Sequence, residues 1–321
     1  MKVQIPDALK ADVPQTTFGK ILAATPVVMA VVATMLAGLA SSEMTRAQYD
    51  RSLGAQQQSK AGDQWSFFQA KRMRGAFQRN TAELLQAVSD VHPLERATFK
   101  KWAEKVQPKL ATLLESQSGK DALDFLQRGK VPSISAAPPP DATLRAALEG
   151  LENLAVDSEM AALLAPIDDK ELEASVRVAR EQSQLFDEAS KPINQTIDDM
   201  DALVMSAATA STGAGAAIGT SVRRDFTHAR LRYTAARYEV EARLNQAIAN
   251  LYELQVRKNN LSAERHHARS QKFFFGMLGA QLGVLISTFA MAARNRNLLW
   301  SLAAVAGLIA IAFAIYVYLY V

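Results

Sequence analysis

The sequence predicts an all-α membrane protein, with three transmembrane helices, a long antiparallel coiled-coil stalk and a helical head inserted between the first and second spans. Two observations predict this fold class. Three strongly apolar stretches of the chain carry no charged residue, and each is at least as long as the roughly 20 apolar residues that cross a bilayer as a helix. Between the first two stretches lies a polar middle whose apolar residues recur at helical spacing, without the alternation that is typical of strands.

The N-terminal part is predicted to be a tail, a span and the beginning of the stalk. Residues 1–20 form a polar tail, and the uncharged run at 21–42 forms transmembrane helix 1. This run is longer than the apolar core of a signal peptide, so we expect it to be retained in the protein. Residues 43–91 continue as the first stalk helix.

The first stalk helix carries large apolar residues near its end. Met73, Phe77, Leu84 and Val88 lie at helical spacing, and an apolar stripe of this kind usually faces the interior of a protein. We therefore expect these four side chains to form the buried face of the helix.

Residues 92–219 are predicted to form the helical head. A proline-rich linker at 131–140 divides it, because four of those residues are prolines and proline favours extended chain. A Gly/Ala-rich bend at 209–219 ends it. The bend is uncharged, but its Ala, Ser, Thr and Gly residues are too weakly apolar to favour a fourth span; a close-packed or membrane-grazing tip stays open as an alternative. The remaining segments are the second stalk helix at 220–272, transmembrane helix 2 at 273–293, a basic turn at 294–297 and transmembrane helix 3 at 298–321.

The second stalk helix has the longest regular pattern in the chain. Its apolar and small residues recur in steps of three and four, which is the spacing of a helix packed along a partner helix. Two helices that leave the membrane together should meet at equal distances from it. We therefore expect Leu244, Leu251 and Leu254 to pack against Trp65 and Phe68 of the first stalk helix.

Small residues in transmembrane helix 2 favour close helix packing in lipid. They are Gly276, Gly279, Ala280 and Gly283. Gln281 is the one amide of this span, and we expect it to hydrogen-bond between helices. A position lining a narrow pore is the alternative.

The basic residues near the spans favour one orientation. Lysines in the tail and arginines in the basic turn would lie on the cytoplasmic side by the positive-inside rule. The head is then periplasmic. Basic residues on the head side count weakly because the segment is long, so the opposite orientation stays open.

The sequence contains no constellation of residues that is typical of an active site, a metal site or a cofactor site. There is no Cys, which excludes disulfides and thiolate ligands. His266 and His267 are adjacent, so their side chains point about 100° apart on a helix, and we expect both to lie at the membrane surface. A ring of His267 side chains in an oligomer, binding a metal or sensing pH, is the alternative. A net charge of +4 over 321 residues predicts no nucleic-acid partner.

One motif connects the sequence to a known family. Asp-Gln-Trp-Ser-Phe-Phe-Gln-Ala-Lys at 63–71 follows the first predicted span, and His266 and His267 precede a predicted membrane hairpin. In these features the sequence resembles the uncharacterised bacterial membrane proteins grouped as domain of unknown function 4337. The resemblance covers about 15–91 and 240–321, so that 92–219 is a long extra insertion. It implies a membrane helix, a coiled-coil middle and two closing membrane helices, and no activity.

The function that these features favour is that of a non-enzymatic, membrane-anchored helical scaffold or accessory subunit in the bacterial inner membrane. We expect it to be multi-pass and homo-oligomeric, with the membrane, its own copies or other subunits of a membrane complex as partners and with no cofactor. Two alternatives stay open. The first is a channel or transport component whose pore is lined by transmembrane residues, and the second is a helical sensor domain.

Overall fold

The computed structural model describes residues 17–210, 214–292 and 296–320. Over these residues the chain is helical and has no strand, which confirms the all-α prediction. Residues 1–16 of the N-terminal tail, 211–213 of the Gly/Ala-rich bend and 294–295 of the basic turn lie outside the described residues. The helices are α1 (Thr17–Val88), α2 (Arg96–Val106), α3 (Pro108–Glu115), α4 (Gln117–Arg128), α5 (Ala142–Glu152), α6 (Asp157–Leu164), α7 (Asp169–Ala210), α8 (Ala214–Ala292) and α9 (Arg296–Tyr320).

Among the described residues, α1, α8 and α9 are long and apolar enough to cross a membrane. This confirms the prediction of three candidate spans and of a multi-pass membrane protein. Two of these helices are much longer than a span. α1 has 72 residues and α8 has 79, while about 20 residues suffice to cross the apolar part of a bilayer.

The chain divides into two compact units, and α1 and α8 contribute to both. Unit 1 contains residues 1–55 and 256–321. Its core consists of Met29, Ala33, Leu36 and Ala40 from α1, Phe273 and Ala280 from α8, and Ala310 and Val317 from α9. The indole Nε1 of Trp300 in α9 donates a hydrogen bond to Thr25 Oγ1 of α1 at 2.9 Å.

Unit 2 contains residues 56–255. One hydrophobic core of this unit joins α2, α3 and α4 to the second half of α7 and the beginning of α8. Phe226 of α8 is fully buried there, and its ring stacks on that of Phe99 with the centroids 5.6 Å apart. The hydroxyl of Tyr233 donates to Asn194 Oδ1 at 2.9 Å, and burial raises the pKa of Tyr233 to about 12.

The short helix α4 of unit 2 begins and ends at residues whose chemistry explains its length. Ser116 precedes α4 and accepts a hydrogen bond from the Gly119 amide at 3.0 Å, and Gly129 follows α4 with a φ of 60°. A serine N-cap and a left-handed glycine are the usual ends of a helix. The residues between α4 and α5, which include the proline-rich linker, contain no helix.

Candidate functional site: the packed faces of α1 and α8

One face of α1 carries a small residue at every seventh position. Within unit 1 the buried members are Ala33, Ala40, Ala47 and Gly54, and within unit 2 they are Ala61, Gly75 and Ala82. Phe68 is the one large residue at this seven-residue spacing. Because seven residues make two helical turns, these side chains share one face of the helix within each unit. We call this face the α1 seam.

α8 carries a matching face with the same spacing. Ala235, Ala242 and Ala249 are buried in unit 2, and Val256, Ala263 and Ser270 are buried in unit 1. We call this face the α8 seam. Small residues on both helices allow their backbones to approach closely, as Ala and Gly do at helix contacts.

The contacts between the two seams show antiparallel helices within each unit. In unit 2, a Cβ built on Gly75 would lie 3.3 Å from the Cβ of Tyr238 and 3.5 Å from the carbonyl oxygen of Ala235. In unit 1, a Cβ on Gly54 would lie 3.6 Å from the Cβ of Asn259. Also in unit 1, Ser270 Oγ donates to the Ala40 carbonyl at 2.7 Å.

Charged side chains flank the seams in unit 2. Lys71 of α1 forms an ion pair with Glu241 of α8, and Arg79 Nη2 lies 2.7 Å from Glu239 Oε2. The ammonium of Lys71 also lies 5.3 Å from the centroid of the Tyr238 ring. Each of these cations pairs with a carboxylate at a defined position on the opposite helix. Sliding one helix along the other would therefore break both ion pairs.

His228 of α8 is partly buried and belongs to unit 2 as well. Burial and the positive charge of Arg232 lower the pKa of His228 below its usual value. The neutral imidazole is therefore the form that the folded unit favours.

Two of the three leucines predicted to pack on the first stalk helix, Leu244 and Leu251, line a groove whose walls include no residue of α1. Leu254 and Leu251 are buried and Leu244 is half-buried. Leu244 and Leu251 line an apolar groove of about 560 Å³, whose other walls are the proline-rich linker, α5 and α7. The face of α8 turned to α1 instead carries alanines, because two helices in close contact leave no room for leucine side chains.

Trp65 and Phe68 contact each other. Their rings meet edge to face with the centroids 5.5 Å apart, and both are half-buried. Phe68 belongs to the α1 seam and lines a surface pocket with Gly75, Ala235 and Ala242. The structure therefore brings Phe68 close to the α8 alanines and not to Leu244 and Leu251.

The small residues of transmembrane helix 2 divide between two faces. Gly276, Ala280 and Gly283 are buried; a side chain on Gly276 would contact Leu36 and Phe313, and one on Gly283 would overlap Met29. Those three residues therefore pack against α1 and α9 of the same chain. Around Gly279, no described atom lies within 4 Å of a Cβ, and Gln281 is exposed.

The two adjacent histidines have different surroundings. His266 Nδ1 lies 2.5 Å from Glu43 Oε2, so it joins α8 to α1 within unit 1. His267 Nε2 lies 3.1 Å from the Gln271 amide nitrogen of its own helix. Within the described part of the chain, no group of three or more His, Asp or Glu side chains is placed to hold a metal ion.

The large apolar residues near the end of α1 are exposed, which differs from the sequence prediction. The exposed fractions are 73% for Met73, 67% for Phe77, 61% for Leu84 and 72% for Val88. The cause is the α1 seam: Gly75 and Ala82 take the face that packs on α8, and the large side chains point away from it. Sequence reasoning missed the seam because it looked for large apolar residues, although the seven-residue spacing of Ala and Gly was present in the sequence.

Comparison with known proteins adds one match. A family model described as Domain of unknown function (DUF4337) matches residues 18–122. The match confirms the resemblance over α1 and extends it through α2 and α3 into α4, past the boundary at 91. It does not include 240–321. Searches of curated proteins and of solved structures found no match.

Proposed function

We propose that this chain, which resembles the DUF4337 family over residues 18–122, is a non-enzymatic, membrane-anchored helical scaffold or accessory subunit. The observation that supports this proposal most is the pair of small-residue seams on α1 and α8. The two helices form an antiparallel coiled-coil stalk, and the helices between them form a head. The scaffold is homo-oligomeric and resides in the bacterial inner membrane, with the head in the periplasm.

Long paired helices with small residues are suited to holding a fixed spacing. Ala and Gly have almost no side-chain entropy to lose on packing, and backbones that approach closely leave little freedom to bend. The ion pairs of Lys71 and Arg79 with α8 favour one register, because both cations lose their α8 partners if the helices slide.

Engineered disulfides test the pairing, since the natural chain has no Cys. In a variant with Gly75→Cys and Tyr238→Cys, the two Cβ atoms would lie 3.3 Å apart, and in one with Gly54→Cys and Asn259→Cys they would lie 3.6 Å apart. Disulfides have Cβ atoms about 3.5–4.5 Å apart, so both pairs should oxidise and lose maleimide reactivity. The control pair is Gly62→Cys with Tyr238→Cys, because no described atom lies within 4 Å of a Cβ at Gly62. Equal oxidation of the control pair would contradict the pairing.

A flux assay separates a scaffold from a channel. The full chain is reconstituted into vesicles loaded with potassium ions and a fluorescent indicator. A scaffold leaves ion efflux equal to that of vesicles without protein. Efflux above this background that falls in a Gln281→Leu variant would refute the scaffold and establish a pore.

The orientation is tested by labelling intact cells with a membrane-impermeant maleimide. Gln86 is exposed on α1 in unit 2, so Gln86→Cys reports the side of the membrane on which unit 2 lies. Labelling without permeabilisation supports a periplasmic head. Labelling only after permeabilisation would reverse the orientation.

The apolar groove of unit 2 supports a sensor as a second candidate. It is lined by the linker prolines, Val178, Leu244 and Leu251, and pockets of several hundred Å³ with apolar walls are typical of small-molecule sites. Decanoate is a suitable probe. A rise in melting temperature with decanoate that an Ala247→Trp change abolishes would favour the sensor, and no rise would count against it.

A further inference from the structure

α1 has a second regular face, on the side away from α8. It consists of exposed residues at coiled-coil spacing within unit 2, which we call the α1 outer stripe. Its members are Ala70, Met73, Phe77, Asn80, Leu84 and Ala87. The large apolar members, Met73, Phe77 and Leu84, have exposed fractions between 61% and 73%, which is unusual for a row of apolar residues on a soluble surface.

The spacing of the outer stripe is that of a helix–helix interface. Ala70, Phe77 and Leu84 lie seven residues apart, and Met73, Asn80 and Ala87 form a parallel series displaced by three residues. These two series correspond to the a and d positions of a heptad repeat, which meet a partner helix in alternating layers. α8 occupies the opposite side of α1, so it cannot cover the outer stripe.

We infer that a second copy of this chain covers the outer stripe by parallel, in-register pairing of α1 with α1. This inference rests on the proposed scaffold function and identifies its self-association surface. α1 is one helix from Thr17 to Val88. In two copies anchored in one membrane, the outer stripe therefore begins the same number of residues after the predicted span, and the two α1 helices run in the same direction. Each residue of the stripe then meets its own equivalent, Phe77 with Phe77 and Leu84 with Leu84.

The flanking charges agree with parallel pairing. In a parallel coiled coil, each e position meets the preceding g position of its partner. Arg74 then meets Gln69, Thr81 meets Ala76, and Val88 meets Glu83, so no like charges oppose each other. Asn80 is the one amide in the two series, and its pairing with Asn80 of the second copy favours the in-register arrangement.

The area is sufficient for association of anchored chains. Burying the large side chains of two outer stripes removes on the order of 1,000 Å² from water, which is the lower bound for a specific interface. Anchoring in one membrane raises the effective concentration of the second copy and so favours an interface of this modest size.

Single-cysteine crosslinking in native membranes tests the interface. Phe77→Cys, Asn80→Cys and Leu84→Cys lie on the outer stripe, and Gln86→Cys is an exposed control two residues away on another face of the same helix. We expect on the order of tenfold more covalent dimer from the stripe positions, because pairing raises the effective thiol concentration. If Gln86→Cys gives as much covalent dimer as the stripe positions, the crosslinks arise from random collision and the inference is wrong. Crosslinks from the stripe positions to a protein of different mass would overturn it as well.

A second variant separates loss of pairing from loss of folding. Phe77→Glu with Leu84→Glu, in the Asn80→Cys background, should abolish the dimer while leaving the helix content of the chain, measured by circular dichroism, unchanged, because both side chains are exposed within one copy. Gln86→Glu adds a charge to the same helix and should leave the dimer intact. Persistence of the dimer in the double glutamate variant would overturn the inference.

The cysteine pair at 75 and 238 keeps the two proposals distinct. If this pair oxidises while the stripe positions give no dimer, self-association through the stripe is wrong and the scaffold proposal stands. If neither forms, both are wrong.

Discussion

The packing of α1 on α8 is tested most directly by placing leucine at two glycines of α1. Gly62 and Gly75 lie in the same helix and the same unit. Around Gly62 no described atom lies within 4 Å of a Cβ, whereas a Cβ on Gly75 would lie 3.3 Å from Tyr238 and 3.5 Å from the backbone of Ala235. The same substitution is therefore free of contacts at one position and crowded at the other.

The magnitudes follow from two opposing effects. Replacing a helical Gly by Leu stabilises the helix by roughly 0.5–1 kcal/mol at either position, because Gly is the weaker helix former. At Gly75 the leucine must also enter space that Tyr238 and Ala235 occupy, and overpacking of this kind costs about 1–3 kcal/mol. We expect Gly62→Leu to be about 1–3 kcal/mol more stable than Gly75→Leu.

Thermal unfolding of the full chain in detergent, followed by circular dichroism, measures the difference. A kcal/mol corresponds to about 2–4 °C for a unit of this size, so the two variants should differ by roughly 2–12 °C, with Gly62→Leu higher. Alanine variants at the two positions should differ in the same direction by less, because Tyr238 needs to move only slightly. A Gly75→Leu protein that melts at or above Gly62→Leu would refute close packing of the two helices.

Three further predictions follow from the described contacts. Phe226→Ala should lower the unfolding free energy of unit 2 by about 3–5 kcal/mol in denaturant titration, because it removes a fully buried ring. Gly283→Leu should give the detergent-purified chain a lower melting temperature than Gly279→Leu, because a side chain at 283 overlaps the end of Met29 and one at 279 meets no described atom within 4 Å. The pKa of His228 is lowered in the folded state, so this group stabilises unit 2 above its unfolded pKa and loses that contribution as the pH falls through the folded value. Wild-type protein should therefore lose more stability than His228→Gln when melting curves are compared at pH 7 and pH 5.

The fold class and the number of candidate spans could be predicted from the sequence. Both depend on local properties, namely long uncharged runs and helical spacing, which need no knowledge of distant contacts. The unbroken length of α1 also depends on local properties, since Gly54, Gly62 and Gly75 each weaken a helix only slightly.

The faces of the long helices were harder to predict. An amphipathic pattern shows which residues share a face, but it does not show whether that face meets the same chain, another chain or water. For this reason Met73 and Phe77 were expected to be buried and are exposed, while the interior face of α1 carries Ala and Gly. Leu244 and Leu251 line a groove with the linker and α7, on a different face of α8 from the one that meets α1, and the spacing of leucines alone does not show which helix covers which face.

Individual hydrogen bonds between residues distant in sequence were not predictable. Glu43 and His266 are 223 residues apart, and no local pattern connects them. Counting residues from the predicted membrane boundaries placed the two long helices side by side. The position of one helix along the other was uncertain by one or more helical turns, whereas a hydrogen bond between two side chains requires a position correct to a fraction of a turn.

The antiparallel seams have a consequence for the synthesis of the protein. Gly75 meets Ala235, which follows it by 160 residues (235 − 75). At about 5–20 residues per second, the ribosome needs roughly 10–30 s to make the α8 segment after the seam of α1 has emerged. During that delay the waiting face of α1 shows mainly methyl groups and bare backbone, which offer little apolar surface for chaperones or neighbouring nascent chains to bind. A seam of leucines would also pack as a helix pair. During the same interval, however, it would expose a large apolar surface to which chaperones and other nascent chains bind.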